Sequence, residues 1–164
     1  MKTKNIAFFA IMLALGVIVN WIEFLVPLPF LFPGAKLGIA NGLGLILLYY
    51  LGAKYYLGYS YFRVLLSALL FTGFGSAFFI SLGGVTLAVI VTLLVARFVK
   101  CSVYGISISG AIFHGFGQVI VVAILYQTVY MLTYMIILTI SGLITGILVA
   151  FLSKSIITKV PEFQ

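Results

Sequence analysis

Apolar residues run along this chain in long blocks, broken by charge or by Gly/Pro punctuation instead of alternating with polar positions. Leu87 to Val95 and Tyr134 to Leu152 are examples, apolar almost throughout. A transmembrane β-strand alternates apolar and polar residues over about ten positions, so the pattern excludes a β-barrel. A helix crosses a hydrocarbon core about 30 Å thick in roughly 20 residues. On that criterion the blocks predict six transmembrane helices at about 5–22, 37–53, 55–72, 75–97, 103–126 and 130–152. The expected fold is an all-α integral membrane protein, with residues 1–164 forming a single transmembrane domain.

Composition sharpens this reading. The chain is 65% hydrophobic and only 7% charged, a balance that a water-soluble surface does not tolerate. Lys2 and Lys4 precede the first apolar run, as in a signal peptide. No A-x-A-like cleavage site follows, and the run ends in Asn20, Trp21 and Glu23, so an uncleaved first span is expected. The single cysteine, Cys101, excludes an intrachain disulfide and has no metal-ligand neighbours in sequence.

The net charge of +7 is a topology signal. Cytoplasmic loops retain Lys and Arg. With both termini inside, Lys2, Lys4, Lys54, Arg97, Lys100, Lys154 and Lys159 all fall on the cytoplasmic side, leaving Lys36 and Arg63 elsewhere. Tyrosines 49, 50, 55, 56 and 59 cluster around Lys54, and Trp21, Phe24, Tyr126 and Tyr130 mark the opposite interface. The charge is absorbed by this N-in/C-in arrangement, and a nucleic-acid partner is not expected.

One connection stands apart. Between the first two spans, Glu23 to Lys36 carries three of the four prolines, including Pro27, Pro29 and Pro33 beside Phe30 and Gly34, and cannot be a regular helix. It is nevertheless too apolar for water, and irregular backbone at membrane depth requires protein or a wet cavity beside it. A lid across the outer mouth of the bundle meets both conditions.

Small residues recur at four-residue spacing, which lets membrane helices approach closely. Gly34, Gly38 and Gly42 form one such stripe, Gly142, Gly146 and Ala150 another, and Ala10 and Ala14 a third with Ala7 nearby. Ordinary packing inside the bundle is the plain reading, and docking of another membrane subunit the functional one. Gly83-Gly84 marks a bend in the fourth span.

Ionisable groups within spans cost at least about 2.5–3.5 kcal/mol each, so each requires a reason. Lys36 begins a helix, where the partial positive charge of the N-terminus adds to its own and favours an anion. Arg63 lies either snorkelled or paired for structure, or at a ligand or partner. His114 and Gln118 are one turn apart on the fifth span and share a face flanked by Gly110, Gly115 and Gly117. Asn41 lies near the outer end of the second span. Lys36, Asn41, Arg63, His114 and Gln118 are therefore the candidate substrate-binding residues, with Glu23 bracketing the lid.

The missing residues narrow the chemistry. No P-loop motif occurs, and the chain contains no aspartate. Mg²⁺-dependent diphosphate chemistry needs clustered carboxylates. The two glutamates, Glu23 and Glu162, fall on opposite sides of the predicted membrane. No catalytic triad, metal site or cofactor is expected.

Pro33-Gly34-Ala35-Lys36-Leu37-Gly38-Ile39-Ala40-Asn41, Leu48-Tyr-Tyr-Leu-Gly52, Arg63-Val64-Leu65 and Ala111-Ile-Phe-His114-Gly-Phe-Gly117-Gln118 together resemble the Gx transporter family across essentially the whole chain. That family also carries the name heptaprenyl diphosphate synthase component I, and is similar to the S components of energy-coupling-factor importers. The resemblance implies six helices around a pocket that opens outward beneath the first loop. It implies capture of a small solute, then docking on a membrane coupling subunit with ABC-type ATPases in trans. The family's Ala-x-x-x-Ala contact on the first helix maps to Ala10 and Ala14. The resulting expectation is a substrate-binding S component for a small anionic or polar solute, in the cytoplasmic membrane of a prokaryote. The alternatives are a non-catalytic membrane subunit of a heptaprenyl diphosphate synthase and a stand-alone carrier.

Overall fold

The computed structural model describes residues 3–25, 39–99, 101–127 and 129–159. Six α-helices make up nearly all of it: α1 (Thr3–Leu25), α2 (Ile39–Leu51), α3 (Ala53–Ser67), α4 (Ser76–Phe98), α5 (Val103–Tyr126) and α6 (Tyr134–Lys159). No strand occurs among the described residues. A π-helical turn, Ala68–Thr72, continues α3 without a break, and a 3₁₀ segment, Val129–Thr133, leads into α6.

The helices form because backbone groups in an apolar medium must be satisfied within the segment. Hydrophobic side chains surround them on all sides, and many large ones point outward: Ile140, Ile144, Ile147 and Phe151 of α6 are all exposed. The interior instead collects Ser60, Arg63, Thr92, Ser107 and Thr145. Buried apolar residues such as Leu45, Ile46, Leu47 and Val89 pack beside them, so the bundle is apolar outside and mixed inside. A water-soluble bundle does not expose apolar surface on this scale, whereas lipid favours it.

Stretches Thr3–Glu23, Ser76–Phe98, Val103–Tyr126 and Met135–Lys159 are long and apolar enough to cross a membrane. At about 1.5 Å per residue, the 13 residues of α2 reach only about 20 Å. The expected last span ended at 152, whereas α6 runs on to Lys159. The extension is polar: Ser155 Oγ and Thr158 Oγ1 donate to the carbonyls of Phe151 and Lys154, and Tyr50 OH ties it to α2 by donating to the Ile157 carbonyl at 3.1 Å.

Packing divides the bundle into two units of three. α1, α2 and α3 pack on one another, α5 packs along both α4 and α6, and the α2–α6 and α3–α4 contacts join the units into a ring. Glycines set the second unit. A Cβ at Gly142 would lie 3.2 Å from the Ala111 backbone, and one at Gly146 would lie 2.8 Å from Ile108 Cα. The Gly142/Gly146 stripe is therefore the α5–α6 seam. Gly42 meets Val149 and Ser153 of α6, with Ser153 Oγ donating to the Gly42 carbonyl; Gly34 and Gly38 lie outside the described residues. Gly83 and Gly84 sit within an unbroken α4 and serve its close approach to α5.

The two ends of the bundle differ. Phe8 meets Tyr50 edge-on, Phe9 meets Tyr55, and Lys154 Nζ lies 5.4 Å above the Tyr104 ring, so Lys4, Lys54 and Lys154 share one end. Trp21 stacks on Phe71 at 5.2 Å at the other. Gly52 makes the corner between α2 and α3 with φ 91° and ψ −179°, a region open essentially to glycine alone. Gly52→Ala is expected to cost about 1–2 kcal/mol, read as a lower unfolding midpoint in detergent. An unchanged midpoint would show that the corner relaxes freely.

Candidate ligand cavity

A cavity of about 470 Å³ lies between the two three-helix units and receives residues from all six helices. Its polar wall begins with Arg63, projected from α3 and only 6% exposed. Burying a guanidinium is costly unless its N–H groups find acceptors; amide oxygens supply two, and Nε has none. Nη2 donates to Asn41 Oδ1 of α2 at 2.7 Å, and Nη1 donates to Asn20 Oδ1 of α1 at 3.3 Å. Asn20 Nδ2 in turn donates to Ser67 Oγ at 2.9 Å. The guanidinium also lies 5.9 Å from the centre of the Tyr59 ring, whose hydroxyl donates to the Ala40 carbonyl. Arg63 does not snorkel to an interface; it ties α1, α2 and α3 together at the edge of the cavity.

Glu23 lines the same space, and its Oε1 accepts a hydrogen bond from the Ile39 backbone N–H at 2.7 Å. This places a carboxylate on one of the unsatisfied donors at the start of α2, where the helix dipole favours it. Glu23 thus anchors the beginning of α2 as well as the end of α1.

Across the cavity, His114 and Gln118 stand on one face of α5, as their four-residue spacing predicts. Their room is made by α4: a Cβ at Gly84 would lie 2.8 Å from Gln118 Cγ and 2.9 Å from His114 Cε1. Gly110 gives similar space to Thr92 Oγ1. Four of the five sequence-predicted binding residues, Asn41, Arg63, His114 and Gln118, therefore border one cavity. Lys36 and the lid residues Pro27, Pro29, Phe30, Pro33 and Gly34 lie outside the described residues.

Sequence reasoning did not select Asn20, Ser67, Thr92, Ser107 or Thr145, all of which line the cavity. A signal existed: Ser60, Arg63 and Ser67 follow helical spacing on α3, as do Ser107, His114 and Gln118 on α5. Isolated Ser and Thr are common in membrane helices, so only the pairing of such stripes across helices distinguishes a lining from ordinary packing.

Ser60, Arg63, Val64, Ser67, Ala68 and Thr72 of α3 and its π continuation all line the cavity, while Phe71 stacks on Trp21. Among the described residues no cluster of His, Cys, Asp and Glu is assembled that holds a metal ion, and Cys101 is exposed.

A helical bundle with an apolar exterior and several helices long enough to cross a bilayer defines a multi-pass membrane protein, here with a cavity of mixed polarity between its helices. Residues 12–156 match the family described as heptaprenyl diphosphate synthase component I, and the chain belongs to that family. The family description is of one component of an assembly and does not name a catalytic subunit. Neither a curated protein nor a solved structure is matched by the chain.

Proposed function

We propose that the chain is the solute-binding S component of an energy-coupling-factor type importer, capturing a small anionic or polar solute from outside the cell. The observation that carries this reading is the convergence of Asn41, Arg63, His114 and Gln118 on one cavity in a bundle whose exterior is apolar. Costly polar groups are retained in membrane spans where they face a substrate path or a wet hollow. In this reading residues 1–164 form one domain of six spans with both termini in the cytoplasm of a prokaryote. The α3 helix and its π continuation make the third span, and α2 the short second one.

The partner surface proposed for a coupling subunit is the α1 face carrying Ala10 and Ala14. Both alanines are exposed, with Ala7 beside them. Small side chains on a lipid-facing surface leave a shallow track against which another helix can pack closely. The ATPases act in trans through that subunit.

A second reading follows from the family match: a non-catalytic membrane subunit of a heptaprenyl diphosphate synthase. Affinity purification from native membranes separates the two. A coupling subunit with ABC-type ATPases supports the importer, and a soluble prenyltransferase without them overturns it. Within the importer reading, Gln118→Ala is expected to weaken solute uptake by about tenfold, the value of one good hydrogen bond to a charged group, with the folded protein retained. Wild-type uptake in that variant would remove Gln118 from the site.

A further inference from the structure

Gln118 brings a carboxamide to the cavity wall and uses none of its hydrogen-bonding capacity inside the protein. The stem of the side chain is set by α4, since a Cβ at Gly84 would lie 2.8 Å from Gln118 Cγ. Among the described residues no hydrogen bond reaches its Oε1 or Nε2, and neither atom is sealed in by packing. Hydroxyls of the same lining behave differently and settle on helix carbonyls: Ser60 Oγ donates to the Tyr56 carbonyl and Ser107 Oγ to the Gly146 carbonyl, each at 2.8 Å. An unbonded carboxamide inside an apolar bundle is costly. A partner that meets its C=O and its NH₂ together removes that cost.

Asn41 adds a donor of fixed sense. A guanidinium has no acceptor, so the amide oxygen of Asn41 must face Arg63, and Nη2 donates to it at 2.7 Å. Nδ2 is thereby fixed as a donor on the other branch of the amide, and no acceptor meets it among the described residues. Gln118 has no neighbour to orient its amide and can turn it to suit a ligand. Glu23 and Arg63 line the same cavity with opposite formal charges. Within the described lining these cancel, and an uncharged occupant leaves no charge unmatched.

From this unused capacity we propose that Gln118 reads the uncharged edge of a cyclic amide, imide or ureide. The ligand's N–H donates to Oε1, the adjacent C=O accepts from Nε2, and a further acceptor on the ligand meets Asn41 Nδ2. The match is the bidentate one by which Asn and Gln side chains read adenine. An open-chain secondary amide does not fit, because its trans geometry turns N–H and C=O to opposite sides. A ring holds both on one side. The apolar body of the ligand lies against Val85, Ala88, Val89 and Leu138, which line the same space. This deepens the solute-binding reading and rests on it for the use of the cavity.

The test uses three probes on one ring system with the full-length protein in detergent, read by isothermal titration calorimetry. Naphthalimide carries an N–H between two carbonyls. Its N-methyl derivative lacks the N–H, and naphthoate replaces the imide with a carboxylate. The imide is expected to bind about tenfold tighter than either analogue, the worth of one matched hydrogen bond in a dry site. Gln118→Leu keeps the bulk and removes the amide, so it should bring the imide and its N-methyl derivative to equal affinity. Asn41→Asp keeps an oxygen for Arg63 and loses the donor, so it should weaken both imides about tenfold. The ranking on the wild-type protein stands independently of how either variant folds. Equal binding of the two imides, tighter binding of naphthoate, or binding of none overturns the proposal. So does a preference for the N–H that survives Gln118→Leu, or imide binding unchanged by Asn41→Asp. Failure here with a coupling subunit and ATPases still copurifying removes the ligand class alone. The expected ranking without those partners removes the importer and leaves the ligand class standing.

Discussion

Arg63→Ala is expected to destabilise the protein by about 2–4 kcal/mol, the largest effect of any single side-chain truncation in the bundle. Two charge-assisted hydrogen bonds are lost, each worth about 1.5–3 kcal/mol, and the relief of a buried charge offsets part of that sum. The truncation also leaves Asn20 Oδ1 and Asn41 Oδ1 without their donor in a buried setting. Because those oxygens belong to α1 and α2, the loss falls on the joint of the first three helices. Thermal unfolding in detergent, followed by the emission of Trp21 at the end of α1, reads the change where it is expected. Arg63→Lys is expected to recover only part of it, since one ammonium cannot reproduce the planar fork that reaches both amides. Wild-type stability in both variants would show that the joint is held by something other than the guanidinium.

The second large effect is at the α4–α5 crossing. A Cβ at Gly117 would overlap the Gly83 carbonyl oxygen and approach Gly83 C to 2.8 Å and Gly84 Cα to 2.9 Å. All three are backbone atoms, so no rotamer change relieves the overlap and the helices must separate. Overpacking of this kind costs typically about 1–3 kcal/mol, and Gly117→Ala is placed at the upper end of that range. Separation there also carries His114 and Gln118 away from the wall opposite, so ligand binding and stability should fall together. Gly58→Ala is the matched comparison. Its added Cβ meets Phe9 Cζ at 3.6 Å, an ordinary contact, and alanine in a helix interior gains about 0.5–1 kcal/mol over glycine. The same substitution is thus expected to have opposite signs on α3 and α5. Equal effects would sink the close-approach argument.

Individual elements show how far the chain could be read without its fold. The starts of α4 and α5 and the end of α3 with its π turn lie within a residue or two of the expected spans, because lipid exposure writes hydrophobicity onto every turn. The apolar block ends seven residues before α6 does for the same reason. Hydrophobicity marks where the oil ends, whereas the backbone ladder continues through polar residues such as Ser155 and Thr158 to Lys159. Gly83-Gly84 read as a bend, since a lone helix offers no partner against which its bare surface could pack. The partner is Gly117, distant in sequence.

The pairing of His114 with Gln118 was legible because both lie on one helix, where a four-residue spacing sets the geometry locally. Arg63 left snorkelling, structural pairing and ligand contact open. Its burial against Asn20 and Asn41, on two other helices, removes snorkelling, and that neighbourhood depends on the closure of a ring that no local pattern encodes. Lys36 and the proline segment lie outside the described residues.

By itself the sequence determined the medium, the helical class and which polar residues were too costly to be incidental, since each follows from transfer energies that act residue by residue. Only the tertiary structure decided that Asn41, Arg63, His114 and Gln118 border a single cavity and which partners Arg63 finds there. Those neighbours stand on different helices, and the packing that brings them together is encoded in no local pattern.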